Sequence, residues 1–204
     1  MANIIGCGSL LAATVLLASC TGSDSSVSST PATSSGGTTS QSASQAASPT
    51  PATFTSGTYG YELKLPALWS SIQATAKWDG KASLSSDSDE VDQFPGTYNA
   101  SSWAVAAPSK QDLPAYTAAM IAANARDHGD TCPTKPETRN QITVGDGPGI
   151  LLEYDCGILI NLAAAVHHGV GYQFGFRDPT VNAATDPADH ATFLDILKSI
   201  QFPD

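Results

Sequence analysis

The amino-acid sequence predicts an α+β fold, in which an antiparallel sheet of about six to seven strands is covered by two main helices. Two observations support this prediction. Segments with the two-residue periodicity of strands follow one another in runs separated by short turns, and two segments have helical periodicity. Strands that succeed one another directly pair antiparallel, whereas parallel sheets alternate strands with helices.

The first part of the domain is predicted to contain three strands. The opening strand places alternate residues on one buried face and ends at a proline. Its inward residues are Tyr59, Tyr61, Leu63 and Leu65. A second strand is expected over residues 72–78, closed by a turn at Asp79 and Gly80, and a third over residues 103–109. The stretch 85–96 between them is polar and acidic, so it is predicted to be an exposed loop. Calcium binding there is disfavoured, because the stretch lacks the glycine and the glutamate of an EF-hand loop.

A helix is predicted from Asp112 to about Gly129. Apolar residues recur there at helical spacing, Asp112 can cap the first turn, and Pro114 is tolerated within that turn. The repeating apolar residues are Leu113, Tyr116, Met120 and Ala123. The last element is a second helix, for which Asp186 is the predicted N-cap and Phe193, Leu197 and Ile200 form the apolar stripe.

Four strands lie between the two helices, over residues 139–144, 149–156, 157–166 and 170–178. Short glycine-containing turns separate them, so we expect a meander of neighbouring antiparallel strands. The expected inward residues are Ile142, Val144, Ile150, Leu152, Tyr154, Ile158, Ile160, Leu162, Val166, Tyr172, Phe174 and Phe176.

The N-terminal segment has the features of an export signal. Residues 4–19 are apolar or small, and they are too few to cross a hydrocarbon core of about 30 Å comfortably. Leu17, Ala18, Ser19 and Cys20 resemble the lipobox of bacterial lipoproteins, in which the cysteine is acylated and becomes the new N-terminus. The resemblance implies that Cys20 carries lipid. An ordinary cleaved signal and an N-terminal transmembrane stub are the alternatives.

The sequence therefore predicts three regions. Residues 1–19 form the lipoprotein signal peptide. Residues 20–58 form a flexible tether, because a segment composed mainly of Ser, Thr, Ala, Gly, Gln and Pro cannot bury enough apolar area to offset its ordering entropy. Residues 59–204 form one α+β domain. This layout predicts a bacterial cell membrane location, on the extracytoplasmic face and through the lipid anchor.

Two cysteines remain after processing, Cys132 and Cys156. An even pair in an exported domain predicts a disulfide, and a loop of this length would contribute about 3 kcal/mol to stability. A metal or redox site is disfavoured, because the sequence has no CxxC motif and no histidine at ligand spacing from either cysteine.

The composition argues against nucleic acid as a partner. The formal net charge is -10, and the nine Lys and Arg residues are scattered along the chain. The GxSxG, HExxH, Rossmann and phosphate-loop motifs are absent. We therefore expect no cofactor, no resident metal and no catalysis. An envelope hydrolase that uses His128 or His168 with nearby carboxylates is the alternative.

Three residues are candidates for binding a ligand or a partner protein: Arg177, Asp178 and Trp69. Arg177 is expected to project from the strand side that also carries Gly171 and Gly175, so it has room for a carboxylate or phosphate. A carboxylate of the same chain is the simpler partner for Arg177. At least two of the three tryptophans are expected to lie in the core.

The order of elements, the opening segment "YGYELKLPALW" and a closing helix followed by "SIQFPD" resemble the PsbP-like fold. The sequence is also similar to LpqN-type lipoproteins, which share the layout of signal, linker and domain. Members of these families mostly serve as binding or assembly factors. The resemblance therefore implies a lipid-anchored accessory protein of the cell envelope, with an envelope protein or a small ligand as its partner.

Overall fold

The structure of the protein is a computed structural model that describes residues 50–83, 88–97, 100–179 and 187–204. Its strands are β1 (Ala52–Thr55), β2 (Glu62–Leu65), β3 (Asp92–Pro95), β4 (Ser101–Pro108), β5 (Thr138–Val144), β6 (Gly147–Asp155), β7 (Leu159–His167) and β8 (Val170–Asp178). Its helices are α1 (Leu113–His128) and α2 (Pro187–Lys198).

Six strands form one antiparallel sheet in the order β3-β4-β8-β7-β6-β5, and β1 and β2 form a separate two-stranded antiparallel sheet. The strands from β5 to β8 are neighbours in the order of the chain, so the predicted meander is confirmed. The α+β class, the antiparallel sheet and the two helices are also confirmed.

Both faces of the six-stranded sheet are covered except at the edge strand β5, most of whose residues are exposed. Helix α1 packs on one face, where Tyr116 and Met120 meet Trp103, Val105 and Leu152. The β1–β2 hairpin and α2 pack on the other face, around a core of Tyr61, Leu63, Leu65, Phe94, Phe174, Phe176, Phe193 and Leu197. The inward residues predicted for the meander are therefore divided between two cores. The sheet is the middle layer of three.

The folded domain begins before Tyr59, where the sequence placed the end of the tether. Residues 52–55 form β1, which pairs with β2 and places Phe54 opposite Leu63. Phe54 is 5% exposed and meets Phe94 edge to face, with ring centroids 5.0 Å apart. The tether prediction is wrong for residues 52–55. Phe54 is buried there and β1 pairs with β2, and the composition of the segment indicates neither of these.

The prediction of a strand over residues 72–78 is also wrong. Ile72 forms a single bridge with Gln93, and the strand at this edge is β3, inside the stretch predicted to be an exposed loop. Val91 and Phe94 are each 1% exposed, whereas Ile72 is 53% exposed. Burial of these two side chains decides which segment joins the sheet.

Both helices follow their sequence signals. Asp112 accepts a hydrogen bond from the backbone N–H of Ala115 at 2.9 Å, and Pro114 lies in the first turn of α1. Phe193 and Leu197 of α2 are buried as predicted, and so is Ile200, which follows the end of the helix. The predicted N-cap of this helix, Asp186, lies outside the described residues.

The predicted disulfide between Cys132 and Cys156 is confirmed. It joins the segment that follows α1 to the end of β6 across 24 residues of sequence. The closed loop restricts the unfolded chain and is worth about 3 kcal/mol. The bridge therefore holds the end of α1 over the face of the sheet that this helix covers.

A buried carboxylate joins the two sheets. The Tyr61 hydroxyl donates to Asp92 Oδ2 at 2.7 Å, and the backbone N–H of Ala74 donates to Asp92 Oδ1 at 2.8 Å. Tyr61 and Asp92 are both fully buried. Burial, and then the Asp92 charge, hold the pKa of Tyr61 well above its usual value.

The raised pKa of Tyr61 predicts a loss of stability in alkali. Below about pH 10 the tyrosine is protonated in both states, so its titration contributes no pH dependence. Above about pH 10 the unfolded chain loses this proton while the folded chain keeps it. The free energy of unfolding then falls by up to about 1.4 kcal/mol per pH unit for this group. Urea unfolding from pH 7 to 11 measures the slope.

The Tyr61→Phe variant provides the comparison for this prediction. It should lose about 1.5–3 kcal/mol at pH 7, because a hydrogen bond to a buried charge is removed. Above about pH 10 its slope should be smaller than that of the wild type by the contribution of one tyrosine. An unchanged alkaline slope would show that Tyr61 ionises equally in the folded and unfolded states.

Candidate functional site

A groove of about 450 Å³ lies beside α1, between this helix and the segment that contains Trp78, Gly80 and Lys81. Gln173 of β8 also lines it. The helix contributes Tyr116, Ala119, Met120, Ala122, Ala123 and Arg126 to its wall. Three of these six side chains are single methyl groups, which leaves space above the sheet.

The aromatic ring of Tyr116 packs closely against the sheet beside this groove. A Cβ atom added to Gly171 would lie 2.3 Å from the Tyr116 ring, so only glycine leaves room for it. The Tyr116 hydroxyl is buried without a hydrogen-bond partner, and the nearby Gln173 side chain lies outside bonding geometry. Burial raises the pKa of Tyr116, and Gln173 lowers it by less. The hydroxyl therefore stays a neutral donor.

An ion pair and two backbone contacts fix the rim of the groove. Arg126 Nε donates to Asp127 Oδ1 at 2.7 Å, and its Nη2 donates to the carbonyl of Lys81 at 2.9 Å. Asp127 Oδ2 accepts from the backbone N–H of Ser83 at 2.8 Å. These bonds lower the pKa of Asp127, the bond from Arg126 most of all. They hold segment 81–83 against the helix and pair the Arg126 charge.

Trp78 forms the opposite wall and is held at both ends. Its indole N–H donates to the carbonyl of Ala82 at 3.1 Å, and its backbone N–H donates to the Tyr59 hydroxyl at 3.1 Å. That hydroxyl donates in turn to the carbonyl of Glu90. The groove is thus preformed, with apolar walls and a small number of polar groups, as binding sites for small ligands commonly are.

The neighbouring carboxylate of Asp127, which the hydrolase alternative could use to orient His128, is engaged by other partners. Both oxygens of Asp127 are bonded to Arg126 or Ser83. The carbonyl of His128 accepts from the backbone N–H groups of Thr131 and Cys132 at 2.9 and 2.8 Å, which closes the helix end. This arrangement supports the reading of His128 as a helix terminus.

His168 lies in the tight turn between β7 and β8, with a φ of 46°. The ring of His167 lies 4.0 Å from the ring of His168 and stacks on Phe202 at 4.8 Å. Asp146 and Asp204 line the same cleft, of about 400 Å³. Among the described residues, the lining of this cleft includes no serine, threonine or cysteine that could act as a nucleophile.

The three candidate binding residues lie apart. Arg177 is exposed on the face that α1 covers, whereas Asp178 is buried, because successive strand residues face opposite sides. Trp69 packs against the core on the second face. The Trp103 ring packs over Gly175, whereas Arg177 stays exposed, so a role for Arg177 in binding stays a prediction. Trp78 and Trp103 lie in the core, as predicted.

Sequence reasoning missed a polar cluster under α2. His190 Nδ1 lies 3.8 Å from Glu153 Oε1 and 3.5 Å from the amide nitrogen of Asn161. Glu153 also accepts a hydrogen bond from the Thr138 hydroxyl. Asn161 is fully buried, and its Oδ1 has no partner. The three-residue spacing of His190 and Phe193 indicates that both lie on the same side of α2. The cluster itself is created by the register of β6 against β7.

In the part of the chain that the structure describes, no three His, Cys, Asp or Glu side chains come together as a metal site requires. In the same residues, no helix has the length and apolar character needed to span a membrane.

The three-layer arrangement is that of a PsbP-like fold. The domain is similar to the solution structure of the cyanobacterial PsbP protein, CyanoP, from Synechocystis sp. PCC 6803. The TM-score is 0.51 at 10% sequence identity, over 75% of this chain and 92% of CyanoP. A crystal structure from Bacteroides thetaiotaomicron VPI-5482 has a TM-score of 0.43 at 9% identity, over 71% of this chain and 45% of the other. No family model and no curated protein sequence matches the chain.

The close contact between Trp103 and Gly175 makes a prediction about stability. In the Gly175→Ala variant the new methyl group would lie 2.0 Å from the indole, so Trp103 must shift. We expect a loss of about 1–3 kcal/mol in urea unfolding, as overpacking typically costs. Gly147→Ala is the matched control, because its nearest neighbour would be 3.8 Å away. Equal losses for the two variants would contradict the packing argument.

Proposed function

We propose that the protein is a lipid-anchored, extracytoplasmic binding or accessory protein of the bacterial cell envelope, without catalysis, and that the groove beside α1 is its binding site. The observation that carries this proposal is the groove itself. Its volume of about 450 Å³ falls in the range of small-molecule sites, and its walls are mainly apolar.

The side chains of the groove favour binding over catalysis. In the described part of the chain, its lining includes no carboxylate, imidazole or thiol. Histidine, carboxylate and thiol groups are the most frequent acids, bases and nucleophiles in catalysis. The groove offers instead the amides of Gln111 and Gln173, the Tyr116 hydroxyl, whose pKa is raised, and the cations Lys81 and Arg126, which are paired with carboxylates. The PsbP-like fold adds support through the accessory role that the family resemblance implies.

The charges at the rim indicate the kind of ligand. Arg126 is paired with Asp127, and Lys81 lies 3.4 Å from Asp79. Neither cation is therefore offered alone to an anionic ligand. Trp78 and Met120 provide apolar contact, and Gln173 provides hydrogen bonding. These features suit an uncharged, largely apolar molecule, or an apolar side chain of an envelope protein.

The anchor rests on the N-terminal sequence. A lipid on Cys20 would hold the domain at the membrane by burying methylene groups at about 0.8 kcal/mol each, and stable attachment needs more than one acyl chain. The Ser- and Thr-rich segment that follows would serve as the tether.

Filling the groove tests the binding site. Nile red, an uncharged apolar dye, serves as the probe for fluorescence titration of the full chain. We expect Ala119→Phe to weaken its binding at least about tenfold, because the new ring occupies the cavity. Ala118→Phe is the matched control, since Ala118 is exposed and does not line the groove. Equal affinities of the two variants would exclude the groove as the dye site.

Metabolic labelling with a fatty acid tests the anchor. The wild-type chain should incorporate the label and should fractionate with membranes, whereas Cys20→Ser should do neither. Cys7→Ser is the control and should behave as the wild type does, because Cys7 lies within the predicted signal peptide. Labelling of Cys20→Ser at the wild-type level would refute acylation at this residue.

A further inference from the structure

Two large apolar side chains are exposed within five residues of each other. Leu68 is 75% exposed and Ile72 is 53% exposed. Single exposed apolar residues are common on protein surfaces, but a cluster commonly marks a contact surface. Residues 66–72, which we call the apolar loop, carry no charged side chain, although the whole chain has a net charge of -10.

The backbone of the apolar loop is strained at Leu68, which has a φ of 73°. Residues other than glycine rarely adopt this left-handed conformation, and it costs of order 1 kcal/mol. The Leu68 side chain does not recover this cost by burial within the domain, because it points into solvent. Strain of this kind clusters at functional positions.

The apolar loop is held firmly in place. The backbone N–H of Trp69 bonds to the carbonyl of Pro66 at 3.2 Å, and the N–H of Ser70 bonds to the carbonyl of Pro95 at 3.0 Å. The N–H of Ile72 bonds to the carbonyl of Gln93 at 2.9 Å. The exposed side chains therefore sit on a preformed backbone, so little backbone ordering is needed when they contact a partner.

The apolar loop lies at the end of the domain where the chain enters from its N-terminal side. Ala52, the first residue of β1, pairs with Leu65, the last residue of β2, and Leu68 follows three residues later. The tether proposed above would thus join the domain beside the apolar loop. Lys64 and Lys77 flank the uncharged segment 65–76, and both are exposed.

We propose that Leu68 and Ile72 insert into the surface of the lipid bilayer to which the protein is tethered, so that this end of the domain rests on the membrane. The inference rests on the proposed lipid anchor. The tether of roughly 30 residues, with a reach of about 30 Å, keeps the loop at millimolar effective concentration near the bilayer, so weak insertion suffices. Lys64 and Lys77 would meet the lipid phosphates.

The test measures the depth of a fluorescent label on the apolar loop. The full chain carries Cys7→Ser, Cys20→Ser and Ser71→Cys, so that the introduced cysteine alone takes a nitrobenzoxadiazole label. An N-terminal hexahistidine tag holds the chain on phosphatidylcholine vesicles that contain nickel-chelating lipid. We expect a blue shift of the label's emission, and quenching by nitroxide-labelled lipid.

Two comparisons make the result specific. A label at Lys110→Cys should stay in water, because Lys110 is exposed and its neighbour Ser109 bonds to Gly169 in the turn at the opposite end of the sheet. Adding Leu68→Ser and Ile72→Ser to the Ser71→Cys chain should lower the inserted fraction about tenfold. The melting temperature should stay the same, because both side chains are exposed.

Equal quenching at positions 71 and 110, or insertion that survives the two serine substitutions, would overturn the proposal. An emission shift that requires a second copy of the chain or an added protein, and not the vesicle, would assign the loop to protein docking and would also overturn it. The artificial attachment makes these outcomes independent of acylation. Failure of fatty-acid labelling at Cys20 would remove the native anchor alone.

Discussion

The buried carboxylate of Asp92 is the constraint on which the arrangement of the two sheets depends. A charge removed from water must have its hydrogen bonds satisfied, and Asp92 accepts them from Tyr61, just before β2, and from the backbone N–H of Ala74. These two bonds fix the β1–β2 hairpin and the segment after it relative to β3. The apolar loop and the wall that carries Trp78 both lie on the chain between Tyr61 and Asp92, so their positions follow from this interaction.

The two faces of the sheet are built by different means. Aromatic and aliphatic side chains from the hairpin and α2 fill one face, around Phe174 and Phe176. The other face brings aromatic rings onto glycines, with Trp103 over Gly175 and Tyr116 over Gly171. Large rings on bare backbone, next to the alanines of α1, leave a groove where bulkier side chains would have closed the core. The groove therefore results from the way this face is packed. The contacts of Arg126 and Asp127 at its rim stabilise it.

The proposed role combines three features from different parts of the chain. A lipid on Cys20 would determine where the domain is held, the apolar loop would determine how it is oriented, and the groove would determine what it binds. Tethering makes modest affinities sufficient, because partners in the same membrane meet at high local concentration.

The sequence by itself determined the local features that short-range physical chemistry controls: the Asp112 cap, the apolar stripe of α2, the meander of β5 to β8, and the pairing of Cys132 with Cys156. It misplaced β1 and β3, because whether Phe54 or Val91 is buried depends on partners far away in the chain. The groove, the packing of Trp103 over Gly175 and the cluster around His190 were decided by tertiary structure alone. Each of these features arises where residues that are distant in sequence meet across strands. The periodicity of the sequence predicts which face of the sheet a side chain lies on, but it does not predict which residues lie opposite that side chain.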